Sequence, residues 1–68
     1  MPNYSTDEYN LLISESDSFD EIETVRELFK EDFYKREIPV ATYLELNSLC
    51  VLRQTSITLN ALRTNQGK

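Results

Sequence analysis

Apolar residues recur at Ile22, Val25, Phe29 and Phe33, with Phe19 and Leu28 flanking them. Spacings of three, four and four make one stripe at the 3.6-residue period, which predicts a helix over 19–36. Ser18-Phe19-Asp20-Glu21 precedes the stripe in the Ser-x-x-Glu form of a capping box, in which each side chain satisfies a free backbone N–H of the first turn. Asp20, Glu21 and Glu23 also stand where the helix dipole favours negative charge. Glu31 with Lys35 and Asp32 with Arg36 are i,i+4 pairs in the favourable order, each worth about 0.3 kcal/mol. A shorter helix is predicted upstream, over 5–14. Ser5-Thr6-Asp7-Glu8 is a second capping box, and Tyr9, Leu12 and Ile13 then share a face. Ser14, Ser16, Asp17 and Ser18 form the break. Pro39 forces Ile38 out of the α region and so ends the middle helix, while fitting the first turn of the next. Thr42-Tyr43-Leu44-Glu45 is a third capping-box match, so the last helix starts near 40 or at 43.

The segment from 40 to 63 is apolar nearly all round. On a helical wheel Leu44, Val51 and Leu62 share a face, with Leu52 and Leu59 beside it. Leu49 lies well round the side, and Leu46, Cys50 and Ile57 are nearly opposite. A helix of that kind needs cover on several sides. One continuous helix is the leading reading. The alternatives are a break near Gln54-Thr55-Ser56, and a strand over Ser56–Asn60, where Ile57 and Leu59 alternate with polar residues. The expected fold is therefore all-α, a single domain over 1–68 of three or four helices, with 1–4 and 64–68 flexible. Its expected core is Leu12, Ile22, Val25, Phe29, Phe33, Leu44, Leu49, Leu52 and Leu59.

Length sharpens the need for cover. A chain of 68 residues buries only about 60% of its unfolded surface. Cys50 is the one cysteine, so no disulfide can form within the chain, and one thiol with no histidine disfavours a zinc site. What is left is unusually good helix packing, or a second copy completing the fold as a homodimer.

Charge is segregated. Residues 1–32 hold ten of the 12 acids and two bases, whereas between Leu46 and Leu62 the sole charge is Arg53. A net charge of −5 opposes direct binding of nucleic acid or of an anionic membrane, and leaves a basic protein surface as the expected partner. The longest uncharged runs are too short to span a bilayer. No basic-then-apolar signal opens at Met1, and a lone cysteine in an apolar run fits a reducing compartment, so a cytoplasmic location is expected.

Asp20, Glu23, Glu27 and Glu31 place one carboxylate per turn on the outer face of the 19–36 helix. They read either as a solvated face or as a docking stripe for a basic protein; a phosphate mimic is the sharpest version. Glu15, Asp17, Asp20, Glu21 and Glu23 crowd one loop but lack the EF-hand pattern of ligands and glycine. Cys50 has no histidine to activate it, and no phosphate loop or Ser-His pair is present, so neither an enzyme nor a cofactor is expected. Leu46, Cys50, Ile57, Leu59 and Leu62 are the residues expected to mediate self-association or hold a partner helix.

Tyr9, the run Ser18 to Val25, Glu37, Val40, Leu49 and Leu52 give the chain a pattern that resembles the Hha/YmoA family of small helical regulators, which bind a silencer protein. Ile22-Glu23, Arg26 and Leu44-Glu45-Leu46 are similar to the helical hairpin of small sporulation phosphatases. The two families are unrelated, so what both resemblances imply is a shared helical pattern, and neither assigns a functional residue. Three functions remain open. The leading one is a small acidic regulator, bacterial or phage-encoded, that inhibits or adapts another protein. The others are a structural subunit self-associating through 44–62, and a transcription-associated regulator with a degenerate helix-turn-helix over Tyr43–Asn60.

Overall fold

A computed structural model describes residues 1–66 as three helices: α1 (Thr6–Glu15), α2 (Phe19–Tyr34) and α3 (Val40–Gln66). All three pack on one another, and α3 runs the length of a rod 48 × 17 × 17 Å. The continuous-helix reading of 40–63 holds, with neither a break at 54–56 nor a strand. The helix backbone also extends to Gln66, beyond the expected end at 63; Gly67 and Lys68, expected to be flexible, lie outside the described residues.

The caps are local chemistry and follow the sequence closely. Both legs of the Ser5/Glu8 box form: Glu8 N–H donates to Ser5 Oγ at 3.2 Å and Ser5 N–H to Glu8 Oε1 at 3.0 Å. The Ser5 backbone N–H, and next the Ser5 side chain, lower the pKa of the Glu8 carboxyl. At α2 the Ser18 side chain accepts from Glu21 N–H, also at 3.2 Å. The third match, Thr42 to Glu45, caps nothing, because α3 has already begun: Tyr43 N–H reaches the Pro39 carbonyl at 3.0 Å.

The end of α2 differs from expectation. The helix stops at Tyr34, and Arg36 turns left-handed at φ 62°. Arg36 N–H then donates to the Phe33 carbonyl and Glu37 N–H to the Asp32 carbonyl, at 3.0 and 2.8 Å. This is the Schellman arrangement, with arginine where glycine is usual. Since Arg36 has left the helix, the expected Asp32–Arg36 pair does not form; Glu31 and Lys35 do pair, at 3.2 Å.

The core is Tyr9, Ile13, Ile22, Val25, Phe29, Ile38, Leu46 and Cys50. Leu12, Phe33 and Leu49 pack partly against it, together with Leu28, Tyr43 and Ile57. The aromatic rings join the elements: Tyr9 meets Phe29 edge-on at 5.7 Å, and Phe33 stacks on Tyr43 at 4.3 Å. Three expected core residues are corrected. Leu44, Leu52 and Leu59 are 56, 64 and 52% exposed, because α3 turns its opposite side, Leu46 and Cys50, to α1 and α2. For the same reason Leu46 and Cys50 are unavailable for the self-association expected of them: both are fully buried within the chain.

Candidate interaction surface

α3 divides cleanly into two faces. Inward, Leu46 and Cys50 are buried, while Tyr43, Leu49, Arg53 and Ile57 are half-buried. Arg53 faces the junction of α1 and α2, donating from Nε to the Ser16 carbonyl at 2.8 Å and lying 3.5 Å from Asp17. The sole charge between Leu46 and Leu62 is thereby used inside the molecule, in closing the α1–α2 connection.

Outward stand Leu44, Ser48, Val51, Thr55, Thr58 and Leu62, all exposed, with spacings of four, three, four, three and four. Leu52 and Leu59 flank them on one side. Thr55 already donates its hydroxyl to the Val51 carbonyl at 3.0 Å, so it makes no demand on a partner. Six large aliphatic side chains of α3 are more than half exposed, and five of them (Leu44, Val51, Leu52, Leu59 and Leu62) lie on or beside this face. Of the expected contact residues, Leu59 and Leu62 lie on this face and Ile57 sits half-buried behind it. Leu44, Val51 and Leu52 join it. All described side chains from Thr58 to Arg63 are exposed. Beside this face an open groove of about 710 Å³ runs between α1 and α3, with Leu11, Leu49 and Leu52 in its wall and Asp7 and Glu45 among its polar residues.

The acidic stripe is exposed as expected, but its charge is partly used. Glu23 pairs with Arg26 at 3.0 Å and accepts from Gln54 at 3.4 Å. Glu31 accepts from Lys35 at 3.2 Å and from the Asn3 side chain at 3.4 Å, and these bonds, led by that from Lys35, lower its carboxyl pKa. Among the described residues, Asp20 and Glu27 have no ion-pair partner. Two of the four carboxylates of the stripe, Glu23 and Glu31, therefore stand paired with a cation.

A polar cluster that the sequence did not reveal lies between α1 and α2. Asp32 is 2% exposed and Tyr9 fully buried. The Tyr9 hydroxyl donates to the Asp32 carboxylate, and Asn3 N–H donates to both of its oxygens at 3.0 and 2.9 Å. Burial first, and the Asp32 bond and charge next, push the Tyr9 hydroxyl pKa up from its ordinary value of 10.0. The cluster ties residues 1–4, expected to be a loose end, to the far helix, and the Met1 ammonium adds an ion pair to Glu37 at 3.1 Å. Register was the available signal: Asp32 continues the buried positions Val25 and Phe29 by three, on the inner side of α2.

Burial pushes the Cys50 thiol up to about 11, so the thiolate is scarce at neutral pH. Among the described residues, no group of three or more His, Cys, Asp or Glu side chains could hold a metal ion. Among them too, no helix is long and apolar enough to cross a membrane.

Fold and surface together define a small all-α module whose longest helix leaves one apolar face uncovered. Comparison with protein-family models, with curated proteins and with solved structures gives no match.

Proposed function

We propose that this chain is a small non-enzymatic protein-binding regulator, an inhibitor or adaptor, that makes protein contacts through the apolar face of α3 and offers the acidic face of α2 to a basic surface. The observation that carries the reading is the outward face of α3. Covering the exposed parts of Leu44, Val51, Leu52, Leu59 and Leu62 is worth about 1 kcal/mol each, which drives association while leaving the chain's own core untouched. Asp20 and Glu27 supply the acidic contribution, because Glu23 and Glu31 are already engaged by Arg26 and Lys35. Electrostatics of this kind sets partner choice and encounter rate more than affinity. A buried lone thiol suits work in the reducing cytoplasm.

The test is affinity capture with the tagged chain, comparing wild type with Leu52→Asp/Leu59→Asp and with Asp20→Lys/Glu27→Lys. The expected result is one protein recovered in stoichiometric amount by the wild type and reduced by both variants, whose helicity by circular dichroism is unchanged. Equal recovery on all three baits, or none on the wild type, overturns the proposal.

A further inference from the structure

The outward face of α3 is self-complementary when one copy is reversed against another. Its six seam residues are symmetric about position 53: Leu44 falls opposite Leu62, Ser48 opposite Thr58, and Val51 opposite Thr55. Leucines therefore meet at both ends, and small or β-branched residues meet in the middle, where two helix backbones can approach closely. The alternating four-three spacing is that of a heptad seam, suited to helices crossing at a shallow angle. The charges agree. Glu45 and Arg63 lie on the same flank of this seam, both are exposed, and neither has an ion-pair partner among the described residues. In an antiparallel pair, like flanks meet, so Glu45 of each copy comes beside Arg63 of the other. In a parallel pair unlike flanks meet, so Glu45 would have no Arg63 beside it. The exposed end of α3 points the same way: reversed, the segment from Thr58 to Arg63 of one copy lies along residues 43–48 of the other, where Leu44 and Ser48 are exposed.

From this symmetry and charge pattern we infer that the occupant of the α3 face is a second copy of this chain, packed antiparallel with its twofold axis near position 53. The inference rests on the reading of that face as a protein contact and deepens it. The seam from Leu44 to Leu62 runs about 27 Å. It places the dimer at the low end of specific interfaces, with a Kd on the order of 1–10 µM. In the dimer, the α2 acidic faces remain exposed for another protein.

Sedimentation equilibrium tests it on the full chain from about 1 to 500 µM, a range that brackets this affinity. Wild type is expected to go from monomer to dimer. Glu45→Arg alone and Arg63→Glu alone each place like charges together and should weaken the dimer about five- to tenfold, while the double exchange Glu45→Arg/Arg63→Glu should restore it. Leu52→Asp/Leu59→Asp should remain monomeric with unchanged helicity, since both positions are exposed in the single chain. A wild type that stays monomeric throughout overturns the dimer. So does a dimer indifferent to the single charge changes, which would not be antiparallel about 53. The two proposals fail separately. A monomer that still captures a protein lost in Leu52→Asp/Leu59→Asp refutes the dimer and keeps the regulator. A dimer that captures nothing keeps the dimer and refutes the regulator.

Discussion

Replacing Tyr9 by Phe removes one hydroxyl from the buried cluster and leaves the ring in place between Phe29 and Tyr4. Asp32 then keeps the Asn3 N–H but loses its one side-chain donor, at a site 2% exposed. A hydrogen bond to a charged group contributes about 1.5–3 kcal/mol, and the buried oxygen left behind cannot recover it from solvent. Total stability for a chain of this length is about 3–10 kcal/mol, so the loss is a large share. Urea denaturation followed by helical circular dichroism should show the midpoint falling by roughly 1.5–3 M at unchanged slope, for a slope near 1 kcal/mol per M. The pH dependence gives an independent check. The Tyr9 pKa is higher in the folded than in the unfolded chain, so the folded state holds this proton more tightly. Its contribution is fully present below pH 10 and is lost as pH rises further, at up to about 1.4 kcal/mol per pH unit. Cys50, raised from 9.0 to about 11, adds a loss of the same sign between those values. The difference between wild type and Tyr9→Phe isolates the tyrosine: it should be constant below pH 9 and narrow above pH 10. A Tyr9→Phe chain as stable as wild type, or a difference that does not narrow, would refute a buried Tyr9–Asp32 bond.

Two further outcomes follow from the packing. Leu46→Ala opens a cavity under α3 and should cost about 2–5 kcal/mol, whereas Leu52→Ala, on the outer face, should stay within about 0.5 kcal/mol of wild type; thermal melts of the dilute monomer decide, and equal losses would invert the assignment of faces. Arg36→Gly relieves a left-handed residue at the end of α2 and should raise stability by about 0.5–1 kcal/mol, read as an increase in the urea midpoint; a decrease would mean the arginine side chain contributes more than the backbone costs.

The start of α1, the start and stripe of α2, and the all-α class are legible in the sequence because each depends on residues a few positions apart. Ser5 with Glu8, Ser18 with Glu21, and Ile22, Val25 and Phe29 carry their own geometry. The exposed acidic stripe and its Glu31–Lys35 pair were legible for the same reason, whereas the Glu23–Arg26 pair depends on side-chain placement. The tertiary structure decided the rest. A helix apolar on nearly every side has no preferred face of its own. Leu46 and Cys50 are inside, and Leu44, Val51, Leu52 and Leu59 outside, because Phe29, Tyr9 and Ile13 meet α3 where they do. Asp32 reads locally as the partner of Arg36, four residues away. It is instead buried against Tyr9 and Asn3, 23 and 29 residues away, because the left-handed turn at Arg36 removes the arginine and helix packing brings the phenol. Local bonding and periodicity sufficed to determine the helices, but only their packing could choose which apolar face would be left exposed.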